Sequence, residues 1–597
     1  MTNINSRIQQ LRDKMKALKL DAFIIPSTDP HQSEYVCDYW KVRAYFSGFT
    51  GSAGTLVVTQ DTAAMWTDGR YFLQVEQECK DTVVELFKQN IPHAPEHISW
   101  VCDYLAANSV IGLDYRQFSK SQMDYILSFS EAKNIEIEDV PNLVNEIWLD
   151  RPALPSDDVE IHALEFSGES TSSKIQKIKA EIALQQADYY LLSSLDDIAW
   201  LFNIRSTDID FTPLVTAYGF IGIEKSYLFS DRSRYSAKII SVFESLNIEI
   251  VDYDLISKKL PILSKGKTII TDESSLNYAS FNGVKGKLIF KQSLAQQLKT
   301  IKNNVEIENA KKCMLKDGIA MTKFYIWLHD ELKTRNISEY EIGKKLTAFR
   351  KEQPLYRDDS FASIVGYKGN GAIIHYTAPE EGSAMVEDNG ILLIDSGAQY
   401  ENGTTDITRT VWLGVEEPTQ EIKTAYTSVL KGHIELDSIQ FPKGTVGMQL
   451  DTFARMHLWK QGLNFPHGTG HGIGSYGMVH EPTQGFTSSM TNSRGSDAHK
   501  PNQFTTIEPG CYKEGVYGIR IENVVVSKEN ETTNFGQFYG FEALTLFPIE
   551  TKLIDKSLLT QSEINWLNKY HKKVYDTVSP KLKPSEKDWL LEKCKEI

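Results

Sequence analysis

At 597 residues and 41% hydrophobic content, the chain exceeds one ordinary domain and carries ample apolar material for packed cores. Its 64 basic side chains are outnumbered by 79 acidic ones, a net charge of −15, and it has no basic stripe or RNA-binding signature, which excludes nucleic acid as an expected partner. Six cysteines, Cys37, Cys79, Cys102, Cys313, Cys511 and Cys594, lack the spacing of a disulfide framework or a zinc cluster and suit a reducing compartment. No apolar run approaches the ~20 residues that cross a bilayer, and the N-terminus has no apolar leader, so a cytoplasmic protein without membrane contact is expected.

The chain repeats itself early on. Arg7-Ile8-Gln9-Gln10-Leu11 leads to Asp21-Ala22-Phe23-Ile24-Ile25-Pro26-Ser27, and Lys174-Ile175-Gln176-Lys177-Ile178 leads to Asp188-Tyr189-Tyr190-Leu191-Leu192-Ser193-Ser194. Both copies read as an amphipathic helix feeding a buried strand. Thr67-Asp68-Gly69-Arg70-Tyr71 is echoed by Ser230-Asp231-Arg232-Ser233-Arg234-Tyr235. Two α/β domains of one ancestry are expected, residues 1–155 and 156–302, divided near Leu154-Pro155-Ser156-Asp157-Asp158.

From Asn303 a long helical pattern runs through Leu332 and opens a third domain, residues 303–597. Ile391-Leu392-Leu393-Ile394-Asp395 is an apolar run ending in an acid, the pattern of a buried strand that delivers a carboxylate. Gly403-Thr404-Thr405-Asp406-Ile407-Thr408-Arg409-Thr410-Val411 predicts a second strand, hairpin-paired with the first. Two carboxylates held on neighbouring strands repel unless cations lie between them. In Phe465-Pro466-His467-Gly468-Thr469-Gly470-His471-Gly472-Ile473-Gly474 the glycines forbid a stable helix, so the backbone is extended or looped and one of the two histidines is expected to bind metal.

Glu508 directly precedes a Pro509-Gly510 turn. Tyr517 to Val526 alternates as a strand with Arg520 and Glu522 on one face, where the arginine would orient a ligand carboxylate. Beyond lie the aromatic stretch from Phe535 to Phe541 and a helix opened by a Thr560/Glu563 capping box. Its stripe of Ile564, Leu567, His571 and Val574 reads as core packing rather than a ligand box. Together Asp395, Asp406, His471, Glu508 and Glu522 make a set of four carboxylates and one imidazole. Such a set balances two divalent cations and suits amide hydrolysis.

These segments, in this order, resemble the pita-bread metallopeptidases and, among them, the aminopeptidase P (Xaa-Pro aminopeptidase) family in its long, three-domain form. The resemblance covers the whole chain and implies two creatinase-like α/β domains followed by a pita-bread catalytic domain with a C-terminal extension, an α/β (α+β) fold. It implies that Asp395 belongs to one metal, that Asp406 and Glu522 bridge both, and that His471 and Glu508 complete the other. His375, in Gly371-Ala372-Ile373-Ile374-His375-Tyr376, matches a histidine that contacts substrate, His467 one lining the proline subsite, and His480 one stabilising the reacting carbonyl. The implied reaction is removal of the first residue of peptides with proline in second position. A metal-bridging hydroxide attacks the Xaa-Pro bond, and Glu508 assists proton transfer. The implied cofactors are two divalent ions, Mn2+ on the family's habit, although zinc or cobalt suits the same ligands. A homodimer is implied as well.

Three other readings compete with this one. A prolidase restricted to Xaa-Pro dipeptides shares the ligands, but the two preceding domains and the long tail argue against it. A methionine aminopeptidase needs no paired N-terminal domains. A metal-free peptide-binding module of the same fold would have lost ligands, whereas all five are present here.

Overall fold

A computed structural model of the chain describes residues 4–91, 94–489 and 493–597. Residues 1–3, at the N-terminus expected to carry no apolar leader, lie outside them. The chain forms two compact units, Met1–Ala163 with Glu169–Lys299, and Leu164–Gly168 with Thr300–Ile597.

The first unit contains the repeat. Helix α1 (Ile4–Leu18) leads into β1 (Ala22–Ile25), followed by β2 (Thr55–Thr59), β3 (Ala63–Thr67), β4 (Glu85–Lys88), β5 (Val110–Leu113) and β6 (Glu136–Asp139). They form one sheet in the order β4-β3-β2-β1-β5-β6. In the second copy, helix α2 (Thr171–Leu184) leads into β7 (Tyr189–Leu192), β8 (Tyr218–Gly222), β9 (Ser226–Phe229), β10 (Ile248–Val251), β11 (Thr268–Thr271) and β12 (Lys287–Phe290). Their order, β10-β9-β8-β7-β11-β12, and their pattern of parallel and antiparallel pairs repeat the first sheet strand for strand. The echoed Asp68 and Asp231 both follow the third strand of their sheet. Phe23 and Ile25 pack into one apolar cluster and Ala22 and Ile24 into another, so the two-residue period buries β1 on both faces.

The second unit opens with the 29-residue helix α3 (Asn304–Leu332), capped by Asn303 and Glu306 in a reciprocal capping box. Helix α4 (Glu339–Lys351) follows, and both helices lay Phe324, Leu328, Ile342 and Leu346 against the strands β13 (Ile364–Tyr367), β14 (Gly390–Ser396) and β15 (Ile407–Leu413). A six-stranded sheet is built from β16 (Phe441–Pro442), β17 (Gly470–Gly472), β18 (Glu481–Phe486), β19 (Phe504–Ile507), β22 (Asn523–Thr533) and β23 (Gly536–Ala543), in the order β16-β23-β22-β19-β17-β18. Between β19 and β22 the chain makes a separate hairpin, β20 (Gly510–Lys513) with β21 (Tyr517–Arg520). Helices α5 (Gln420–Ser438), α6 (Gly447–Trp459) and α7 (Gln561–Val578) bury Tyr426, Leu430, Leu450 and Leu567 in a core shared with Phe486 and Ile519.

Two strand expectations differ in detail. The segment from Gly403 to Val411 is divided: Gly403–Thr404 pairs with Ala398–Tyr400, β15 begins only at Ile407, and Asp406 occupies the break. The alternating run from Tyr517 to Val526 is likewise interrupted at Ile521 and Glu522. Both breaks release an acid from a ladder that would fix it to a sheet face. In α7 the Thr560/Glu563 capping box is present, and His571 is a packed core histidine whose Nε2 accepts the Ile549 N–H at 3.1 Å.

Candidate metal and substrate site

The five acid and imidazole positions converge from different elements. Asp395 lies near the end of β14, opposite Ile364 on β13 and Thr408 on β15. Asp406 precedes β15, His471 is the middle residue of β17, Glu508 follows β19, and Glu522 precedes β22. One ligand atom each of Asp406, His471 and Glu522 falls within 4.8 Å of the others. His471 Nε2 is 3.5 Å from Asp406 Oδ2 and 3.5 Å from Glu508 Oε1. Its Nδ1 is 3.0 Å from the Gly472 carbonyl oxygen, a donated N–H that leaves Nε2 as the lone-pair nitrogen facing the acids.

The electrostatics are those of a crowded anionic pocket. Burial, and then the charge of Asp395, hold the Asp406 carboxyl well above the usual carboxylate range, and burial with Asp406 does the same to Glu522. Glu508 is pushed up to about 8, first by burial, with Asp406 and Asp395 adding to it against Arg520. Asp395 Oδ1 is buried with no hydrogen-bond partner among the described residues. Buried acids that raise one another's proton affinity, an imidazole with its lone pair turned toward them and an unpartnered carboxylate oxygen are a donor set that fits two divalent cations.

Arg520 is the buried cation beside this set. It donates from Nη2 to Asp395 Oδ2 at 2.6 Å, from Nε to Thr408 Oγ1 at 3.1 Å and from Nη1 to Tyr512 Oη at 2.7 Å. Thr408 in turn donates its hydroxyl to Glu522 Oε2 at 2.8 Å. The Tyr512 hydroxyl is 2.8 Å from His467 Nε2, and His467 Nδ1 is 2.7 Å from the Gly468 carbonyl oxygen. Both His467 nitrogens are thus engaged by protein groups, and burial, reinforced by Arg520, holds this imidazole neutral. Of the two histidines in the glycine-rich segment, His471 is the one turned to the acids. Phe465 and Tyr512 flank the His467 ring at centroid distances of 4.9 and 5.4 Å. The His480 ring meets that of His471 edge-on, with centroids 4.3 Å apart at 84°.

His375 lies beyond a short 3-10 turn, Lys368–Ala372, that follows β13. That turn is drawn onto β21: a Cβ on Gly518 would lie 1.6 Å from the Gly371 carbonyl oxygen, so only glycine permits the approach. His375 is near enough to His467 for its protonation to lower that ring's proton affinity, which places the two in one environment. The structure therefore brings Asp395, Asp406, His471, Glu508, Glu522, Arg520, His467, His480 and His375 into one region of the second unit. The sequence reading missed Tyr512 and Thr408. Thr408 lies two residues after Asp406, but Tyr512 carries no local signal, because its role follows from the β20–β21 register that sets it opposite Gly518.

The profile described as metallopeptidase family M24 matches residues 308–529, and that for the C-terminal region of peptidase M24 matches 537–597. Two profiles described as the creatinase/prolidase N-terminal domain match 7–147 and 150–306. Aminopeptidase P2 of Arabidopsis thaliana is 38% identical over 610 residues, spanning 96% of this chain and 85% of the relative. Xaa-Pro aminopeptidase 1 of Dictyostelium discoideum is 37% identical, spanning 100% of this chain and 97% of the relative. The crystal structure of X-prolyl aminopeptidase from Caenorhabditis elegans, described as a cytosolic enzyme with a di-nuclear active site, superposes with a TM-score of 0.94 at 34% identity, covering 100% of both chains. With this identity along its whole length, the chain belongs to metallopeptidase family M24, among the Xaa-Pro aminopeptidases.

Proposed function

We infer that the chain is a dinuclear metallo-aminopeptidase that hydrolyses the bond between the first residue of a peptide and a proline in second position. The observation that carries this reading is the convergence of Asp406, His471 and Glu522 ligand atoms within 4.8 Å, with Glu508 and Asp395 beside them. Asp395, Asp406, His471, Glu508 and Glu522 would hold the two ions. When bound, such ions supply Lewis-acid polarisation of the scissile carbonyl and a water-derived nucleophile at neutral pH.

The remaining work falls to the chain's own side chains. Glu508 takes the proton of the attacking water and returns it to the leaving proline nitrogen. His480, packed edge-on against His471, donates to the carbonyl oxygen as charge develops there. His467, between Phe465 and Tyr512, lines the apolar pocket for the proline ring, and His375 contacts the substrate backbone. Arg520 fixes the orientation of Asp395, and through Thr408 that of Glu522. A pocket dedicated to proline is needed because a tertiary amide has no N–H to pair in a cleft made for extended backbone.

Manganese is the ion we assign, since oxygen donors predominate in the set. A homodimer in the cytosol is the proposed state, supported for location by the cytosolic C. elegans relative. The proposed domain division is 1–155, 156–302 and 303–597, and the two six-stranded sheets of the first unit fall either side of the first boundary. The test is a panel of four peptides with manganese-loaded protein: an Xaa-Pro tripeptide, its Xaa-Ala counterpart, an Xaa-Pro dipeptide and a Met-Ala peptide. The Xaa-Pro tripeptide should be cleaved fastest, with replacement of the ring costing ~10–200-fold in kcat/KM. Preference for the dipeptide would move the assignment to prolidase, preference for Met-Ala to methionine aminopeptidase, and no cleavage with metal bound to a binding module.

A further inference from the structure

Glu339 is a carboxylate with 0% exposure in the first turn of α4, and both of its oxygens are saturated by donors from the segment that carries His375. The Tyr367 backbone N–H donates to Oε1 at 2.7 Å, and the Tyr376 hydroxyl donates to Oε2 at 2.8 Å. The Asn370 amide lies 3.1 Å from each oxygen and 3.1 Å from the Tyr376 hydroxyl. These donors come from the end of β13, from the 3-10 turn and from the residue directly after His375. Among the described residues no cation pairs with Glu339. The N-terminus of α4, capped by Ser338, and the donated hydrogen bonds take a counter-ion's place.

The segment from Ile373 to Tyr376 has no strand pairing of its own, and its backbone bonds are local, Ile373 N–H to the Asn370 oxygen and Tyr376 N–H to the Ile373 oxygen, each 3.1 Å. Local turns of this kind leave a side chain's direction loosely set. A buried carboxylate that grips the segment before, within and after the turn removes that freedom. We propose that Glu339 is a positioning residue: through Tyr376, Asn370 and the Tyr367 backbone it fixes the loop that aims His375 at the substrate. The proposal rests on the substrate role assigned to His375 above. Glu339 touches neither substrate nor metal and acts only through the loop.

The test compares Tyr376→Phe and Glu339→Gln, each alone and combined with His375→Ala, in the metal-loaded full chain with an Xaa-Pro tripeptide as substrate. Each single substitution should lower kcat/KM by about 10-fold, the scale of a sub-ångström misplacement of a substrate contact, with metal stoichiometry unchanged. Neither should lower it further in the His375→Ala background, because a mispositioned group that has already been removed has nothing left to lose. A drop of undiminished size in that background, or wild-type kcat/KM in both single variants, would overturn the positioning role. Wild-type kinetics in His375→Ala would overturn the reading of His375 itself, and the proposal with it. Tyr376→Phe removes a single hydroxyl, so it carries the test should Glu339→Gln not fold.

Discussion

Arg520 Nη2 and Asp395 Oδ2 are 2.6 Å apart, and the same guanidinium reaches Thr408 and Tyr512, so one buried cation ties an acid of the site to the tyrosine that is bonded to His467. The planar fork makes this geometry, since three donors diverge at fixed angles. A lysine at the position keeps the charge and loses the fork. Arg520→Lys should therefore weaken metal affinity by ~10–100-fold, the cost of removing a partner that orients a ligand. It should also lower kcat/KM for Xaa-Pro peptides, because Tyr512 loses the donor that sets its bond to His467. Metal titration beside kinetics checks this, and unchanged affinity with unchanged kinetics would show that charge alone matters.

A pH prediction follows from the crowding of acids. Glu508 in the folded protein titrates at about 8 against an ordinary value of 4.5, so the folded state holds this proton longer than the unfolded chain does. Stability from this group is then full below about 4.5 and is lost as pH rises through about 8. Chelated protein should melt at progressively lower temperature across that window, and Glu508→Gln, which has no proton to lose, should flatten the slope. Added manganese should restore stability at high pH, by ~2.7 kcal/mol when free metal is a hundred times Kd. Thermal midpoints at stepped pH, with and without metal, are the measurement. A slope of the same size in Glu508→Gln would assign the effect to other groups.

What the sequence made legible divides along a physical line. Asp395 and Glu508 could be read because each sits where a strand pattern stops, marked locally by an apolar run or by Pro-Gly, whereas His471 was legible from the glycines around it and Glu522 from the alternation that sets it on one face with Arg520. The doubled sheet was legible for the same reason, from a helix-strand pattern repeated with few shared identities. Tyr512 and Glu339 were not legible. Tyr512 depends on the register that opposes it to Gly518, and Glu339 on how α4 packs beside β13. The breaks at Asp406 and at Ile521–Glu522 were also missed, since β propensity runs straight through Thr405 to Val411 and Ile519 to Val526. Propensity cannot register that an acid must leave the ladder to meet groups from other strands.

Asp406 and Glu522, the two acids proposed to bridge, should behave differently from Arg520. In that role, replacing either with Ala would remove a ligand from both ions at once. Metal affinity should fall by more than the ~10–100-fold expected for an orienting partner, and turnover should vanish with it. In chelated protein the same substitutions should not destabilise through charge, since they relieve the repulsion that raises the neighbouring carboxyls. Elemental analysis after gel filtration is decisive: an Asp406→Ala protein with two tightly held ions and near-normal turnover would sink the bridging role.

His471 and His480 have rings 4.3 Å apart but should separate cleanly in experiment. His471 presents Nε2 to Asp406 and Glu508 at 3.5 Å, and its Nδ1 is tied to the Gly472 carbonyl, so it is oriented as a ligand. His480 sits edge-on beside it and is assigned to the carbonyl oxygen as charge develops. His471→Ala should lose metal and, for that reason, all turnover. His480→Ala should keep metal and bind substrate, while kcat falls by ~10²–10³-fold, the usual cost of one donor to a developing oxyanion. A ground-state inhibitor carrying Xaa-Pro should bind both wild type and His480→Ala about equally, because the lost bond forms only as the carbonyl becomes tetrahedral. Equal metal loss in the two variants would reassign His480 as a ligand, and a loss confined to KM would make it a binding group rather than a stabiliser of the transition state.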